Sequence, residues 1–109
     1  MSNWIRIAAV SEVAEGRPCS AEVEGKRVGV YRIEGEYFAI GDICTHAFAL
    51  LSTGFIEGDT VECPLHQACF SIKTGEALSA PATEPVETFP VRVEGDDVFV
   101  DVSNVVTQI

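Results

Sequence analysis

Short apolar and β-branched runs alternate with glycine-centred polar turns along the whole chain. No stretch keeps apolar residues at a 3.6-residue period for three turns, so the pattern predicts strands. Trp4–Val10 reads as the first strand. Ser20–Val23 and Val28–Ile33 flank Glu24-Gly25-Lys26-Arg27, a hairpin signal, and Tyr37–Ile40 follows the turn Glu34-Gly35-Glu36. Phe55–Ile56 and Thr60–Cys63 flank Glu57-Gly58-Asp59, and Cys69–Ile72 ends at Thr74-Gly75. Phe89–Val93 and Val98–Val102 flank Glu94-Gly95-Asp96-Asp97. Many short strands joined by tight turns predict an all-β protein, a small sandwich or barrel, with Trp4, Phe38, Phe89 and Phe99 in its core. Residues 41–54 and 76–87 break the rhythm. They carry Gly, Pro, Ser and Thr, are longer than a hairpin needs, and mark loops of the kind that often carry function.

At 109 residues, with no repeat, low-complexity tract or linker, the chain predicts a single domain, residues 1–109. Charge changes the picture more than size does. Residues 1–54 hold five basic and seven acidic side chains, residues 55–109 two and ten, and the whole chain carries −10. No basic residue stands between Arg32 and Lys73. Nucleic acid and anionic membranes both need a basic footprint, so neither is expected as a partner. No apolar run approaches the roughly 18–20 residues that span a bilayer. The opening Met1-Ser2-Asn3-Trp4-Ile5-Arg6 lacks a charged segment followed by an apolar one, so the expected compartment is the cytoplasm. There, four cysteines serve as metal ligands or core residues more often than as disulfides.

The candidate chemistry lies in the basic-free stretch. Cys44-Thr45-His46 and Cys63-Pro64-Leu65-His66 are separated by 16 residues and contain both histidines and two of the four cysteines. Each pair can place a thiolate and an imidazole at one loop tip, and two such tips facing each other make a Cys₂His₂ site. Two core histidines with two buried cysteines, or a Cys44–Cys63 disulfide, are the alternatives. Thiolate and imidazole together suit zinc or iron–sulfur chemistry. In a zinc finger the cysteines pair in one half and the histidines in the other. Here each half supplies one of each, which matches a [2Fe–2S] centre with two Cys on one iron and two His on the other. Cys19 and Cys69 lie outside the pairs and read as small buried apolar residues.

In this motif the chain resembles the Rieske-type ferredoxins of bacterial aromatic-ring-hydroxylating dioxygenase systems. The family pattern, Cys-x-His, about 16 residues, then Cys-x-x-His, stands here as Cys44, His46, Cys63 and His66. Phe70-Ser71-Ile72, Thr74-Gly75-Glu76-Ala77-Leu78 and the proline loop Ala80-Pro81-Ala82 also look like the family. Gln67 departs from the glycine often found after the second histidine. Ala49 and Leu65 stand where high-potential Rieske proteins carry two further cysteines, so that disulfide cannot form. Ala68 and Phe70 stand where those proteins carry a serine and a tyrosine hydroxyl.

The resemblance implies a small Rieske-type β-sandwich or barrel with a cluster-binding subdomain made of loops. It implies one [2Fe–2S] cluster held by Cys44, His46, Cys63 and His66. The expected role is a soluble, monomeric one-electron carrier, not itself an enzyme. It would accept electrons from a flavin-containing NAD(P)H reductase and deliver them to a terminal oxygenase in aromatic hydrocarbon catabolism. A Rieske subunit held permanently in an oxidoreductase and a structural zinc protein are the competing readings. Leu65, Phe48 and Pro81 would either shield the cluster or form an apolar docking patch.

Such a cluster is neutral when oxidised and carries one negative charge when reduced. A four-cysteine cluster goes from two negative charges to three, so histidine ligation raises the potential relative to plant-type ferredoxins. Missing hydroxyls at residues 68 and 70 and the acidic surroundings act in the opposite direction. The potential should therefore lie near the low end of the Rieske range, roughly −150 mV. A hydroxyl donating to sulfur stabilises the reduced state more than the oxidised one. About 1.4 kcal/mol corresponds to roughly 59 mV for one electron, so Ala68→Ser and Phe70→Tyr should each raise the potential by some tens of millivolts. Voltammetry checks this, and downward shifts with the cluster intact would refute the account.

Overall fold

A computed structural model describes residues 4–44, 49–65, 68–79 and 84–103. The strands run β1 (Ile5–Ala9), β2 (Cys19–Val23), β3 (Lys26–Ile33), β4 (Glu36–Gly41), β5 (Phe55–Glu57), β6 (Thr60–Glu62), β7 (Cys69–Ser71), β8 (Thr88–Phe89), β9 (Val91–Glu94) and β10 (Asp97–Val100). They form three antiparallel sheets, ordered β1–β10–β9, β2–β3–β4–β8 and β5–β6–β7. The all-β expectation is met, but no sheet closes into a barrel. The predicted Phe89–Val93 strand breaks at Pro90, which has no N–H to donate to a ladder. Phe89 pairs with Ala39 in one sheet, and Val91 begins pairing with Val100 in another.

A strand whose two faces are both apolar must be covered on both sides, and β3 is such a strand. Val28 and Val30 point one way, into a core with Ala8, Val13, Val23, Ala39, Phe89, Val98 and Val100. Tyr31 and Ile33 point the other way, into a core with Ile40, Cys44, Leu51, Val61, Cys63, Phe70 and Ile72. The four-stranded sheet is therefore a middle layer. The β1–β10–β9 sheet covers its first face. The β5–β6–β7 sheet covers the second through the inward row Ile56, Val61 and Phe70. This small sheet lies beneath the part expected to be built of loops alone. Residues 76–78 continue it beside β7: the Ser71 N–H donates to the Glu76 carbonyl and the Leu78 N–H to that of Cys69. Among the described residues, no helix is long and apolar enough to cross a membrane.

The hairpin turns are tighter than the sequence pattern suggests. Glu24 and Gly25 have φ of 49° and 82°, and Glu34 and Gly35 have 52° and 82°. Two successive positive values make two-residue turns whose twist matches the flanking strands. Lys26, Arg27 and Glu36 are consequently strand residues. The buried aromatics are not the expected set, since Tyr31 and Phe70 join Phe89 in the cores. Phe89 is buried, whereas Trp4, Phe38 and Phe99 are only half-buried. Phe99 lies on the face of β10 opposite Val98 and Val100, and Arg92 covers the Trp4 ring at 5.7 Å.

Gly54 joins the middle of the molecule to the small sheet by close backbone approach. A Cβ there would lie 1.9 Å from the Glu62 carbonyl oxygen and 3.1 Å from Pro64 Cδ. Neither neighbour is a flexible side chain. Gly54→Ala should cost about 3 kcal/mol, at the upper end of ordinary overpacking, measured as a lower denaturant midpoint with an unchanged slope.

Candidate metal centre

The two cysteines of the motif occupy equivalent places at the bases of two loops. Cys44 follows β4 and donates its N–H to the Ala49 carbonyl at 2.9 Å, and Ile43 bridges Leu50 just outside that bond. Cys63 follows β6 and donates its N–H to the Ala68 carbonyl at 2.7 Å, with Glu62 paired to Cys69 just outside. In each case the cysteine is the last paired residue, and four residues, 45–48 and 64–67, connect it to its partner alanine. His46 and His66 belong to these connections and lie outside the described residues. So do Phe48, Gln67 and Pro81.

The loops bring the two sulfurs together. Cys44 and Cys63 are buried in the same apolar cluster as Ala68 and Phe70, and their side chains are hydrogen-bonding neighbours. All four cysteines are free, so the disulfide alternative is not adopted. Burial pushes the Cys63 thiol above its ordinary range, and the Leu65 N–H, directed at its sulfur, pulls the other way. Proximity to Cys44 adds to the upward shift. A thiolate buried as the Cys63 sulfur is requires a cation to compensate its charge. The donor set therefore fits a positively charged metal group, and a backbone N–H aimed at sulfur suits a thiolate. Among the described residues these two cysteines are the motif's only members, and no larger group of metal-ligating side chains occurs.

Cys19 and Cys69 are placed differently from expectation. Both are half-buried rather than buried. The Cys19 thiol donates to the Glu12 carbonyl at 3.0 Å. Cys69 lies on the face of β7 opposite the buried Phe70, away from the Cys44–Cys63 pair. Leu65, with 47% of its surface exposed, does not shield the cysteines as a core residue would.

One residue escaped the sequence reading. Asp42, two positions before Cys44, is fully buried. It counted there only toward net charge, although an Asp between Ile40 and Ile43 at a strand end was a visible signal. Ser20 and Ser52 satisfy its carboxylate. Burial, then the charge of Asp42, pushes the nearby Tyr31 hydroxyl far above its ordinary range.

Comparison with known proteins agrees with this geometry. Residues 3–90 match the Rieske [2Fe-2S] domain family. The ferredoxin component of a naphthalene 1,2-dioxygenase system from Pseudomonas aeruginosa is 46% identical over 100 residues, covering 92% of this chain and 96% of that protein. The Sphingomonas yanoikuyae B1 ferredoxin superposes with a TM-score of 0.87 at 36% identity, covering 91% of this chain and 98% of that one. A chain from a complex of reduced oxygenase and oxidised ferredoxin in carbazole 1,9a-dioxygenase superposes with a TM-score of 0.84 at 35% identity, covering 90% and 92%. The chain belongs to the Rieske [2Fe-2S] family, among the ferredoxins that serve dioxygenase systems as electron carriers, and the family's cofactor is one Rieske-type [2Fe–2S] cluster.

Proposed function

We propose that Cys44, His46, Cys63 and His66 hold the cluster, the two thiolates on one iron and the two imidazoles on the other. The observation that carries this is the buried pair of neighbouring sulfurs at the bases of two matching four-residue connections, each of which contains a histidine. When bound, the cluster supplies a site that gains and loses one electron. The chain's own residues exclude water from the sulfurs, fix their separation through the paired loop bases, and direct the Leu65 N–H at Cys63. Alanine at residue 68 and phenylalanine at residue 70 contribute no side-chain hydroxyl to that environment.

The whole chain acts as one Rieske domain and works as a monomeric cytoplasmic carrier. It takes electrons from a flavin-containing NAD(P)H reductase and passes them to a terminal oxygenase of an aromatic-ring-hydroxylating system. The similarity to a ferredoxin captured with its oxygenase supports the second partner. The net charge of −10 supports transient docking against basic surfaces on both.

Replacing Cys44, His46, Cys63 or His66 by Ala should reduce iron from about two per chain to near zero and remove the visible absorption. Cys19→Ser and Cys69→Ser should retain both, and loss of colour in either would reassign the ligands. Stoichiometric zinc in a colourless protein that resists anaerobic reconstitution would overturn the cluster itself. A second measurement addresses docking. Raising ionic strength from about 0.01 to about 0.15 M shortens the Debye length from about 30 to about 8 Å. Electron transfer from the reductase should slow several-fold over that range at sub-saturating protein, whereas a flat or rising dependence would indicate apolar docking.

A further inference from the structure

Asp42 is buried beside a proposed cluster ligand, and its contacts reach across β3 to Ser20 on β2. Its N–H donates to the Arg27 carbonyl at 2.9 Å, and its own carbonyl accepts the Leu51 N–H at 2.7 Å. These bonds tie the base of the 43–50 loop to β3 on one side and to the returning chain on the other. The carboxylate accepts from the Ser52 N–H at Oδ1, 2.8 Å, and from the Ser52 hydroxyl at Oδ2, 2.7 Å. A third donor, the Ser20 hydroxyl, reaches Oδ2 at 2.6 Å. The direction of this last bond is determined by its neighbour. Arg27 Nε lies 3.0 Å from Ser20 Oγ and can only donate, so the hydroxyl's own hydrogen points to Asp42.

A polarised chain therefore runs from the Arg27 guanidinium through Ser20 to the buried carboxylate. Gly29 makes room for it: a Cβ there would lie 2.9 Å from Asp42 Oδ1 and 3.2 Å from the Tyr31 ring. Asp42 Cα can be no farther than about 7 Å from Cys44 Cα, two residues along the chain. An ordinary loop anchor could be made from apolar contacts. A carboxylate buried at this place also opposes the arrival of an electron nearby.

We propose that Asp42 lowers the electron affinity of the centre at Cys44, and that Ser20 and Arg27 are positioning residues that hold its carboxylate and partly offset its field. The proposal rests on the assignment of Cys44 as a cluster ligand. A unit charge about 10 Å away, at an effective dielectric constant of about 20, shifts a one-electron equilibrium on the order of tenfold. A donor that draws carboxylate charge toward a guanidinium reduces that effect.

Voltammetry of the cluster-loaded protein at fixed pH, with iron content and absorption measured on the same samples, tests the proposal. Asp42→Asn should raise the ratio of reduced to oxidised protein about tenfold at a given applied potential, an upward shift of about 59 mV. Ser20→Ala should shift the ratio several-fold in the opposite direction, because the carboxylate loses a donor and its link to Arg27. Ser20→Thr keeps the hydroxyl and should restore the wild-type potential. Loosened packing does not produce opposite shifts that the hydroxyl reverses. Shifts of the same sign, or none, in variants that keep their iron would overturn the proposal. Should Asp42→Asn fail to hold the cluster, the Ser20 pair decides: a downward shift in Ala recovered in Thr supports the proposal, and an unmoved potential overturns it. A Cys44→Ala protein that keeps its iron would instead overturn the ligand assignment.

Discussion

Cys44 and Cys63 each donate a backbone hydrogen to an alanine carbonyl five residues ahead, and the site is built outward from those two bonds. A buried cysteine on an unanchored loop has no defined partner. Here the strand pairing continues through the cysteine itself, so its sulfur inherits the position of a strand residue. The arrangement places two sulfurs side by side in an apolar cluster. Burial then raises the proton affinity of Cys63. A preorganised pair of this kind offers a metal group two neighbouring sulfurs, and the binding energy of a metal group held there would return to the fold.

The middle sheet explains how such a site can belong to a chain of this size. Because β3 and β4 bury residues on both faces, one set of backbone pairs supports two cores. One core is the apolar interior of the sandwich. The other contains the cysteines. Gly29 lies at the junction, where the absence of a side chain lets the Asp42 carboxylate approach β3. Polar groups there do what an apolar contact cannot: they specify direction. Three donors converge on one carboxylate, while its backbone groups bond to opposite neighbours. Asp42 and the chain at Leu51 and Ser52 are thereby held in one register relative to the sheet.

Charge acts on two scales in this molecule. Near the cysteines, the buried carboxylate and the lack of hydroxyls at residues 68 and 70 disfavour added negative charge. Across the surface, the excess of carboxylates favours basic partners through an attraction that salt screens. Both follow from acidic side chains. The first depends on burial, and the second on exposure. Ion pairs on the described surface, such as Arg6 with Asp97 and Lys26 with Glu87, join half-exposed groups and contribute little to stability.

The proposed ligand pattern could be read in the sequence because it is local: a Cys and a His two or three residues apart can only occupy one loop, and of these four residues the structure describes the two cysteines, which it brings together. Strand positions were legible for the same reason, since alternation and Glu-Gly turns act over a few residues. The break at Pro90 could have been read from its missing N–H. What no local pattern contained was the pairing of sheets. That β3 would face two cores, that Phe99 would turn outward while Val98 and Val100 turned in, and that the sheets would stay open were decided by contacts between residues far apart in the chain. Asp42 is the sharpest case. In the sequence it is one of seventeen acidic residues. Only the fold brings Ser20, Arg27, Gly29 and Ser52 around it, because hydrogen bonds to a buried carboxylate are long-range contacts that leave no periodic trace.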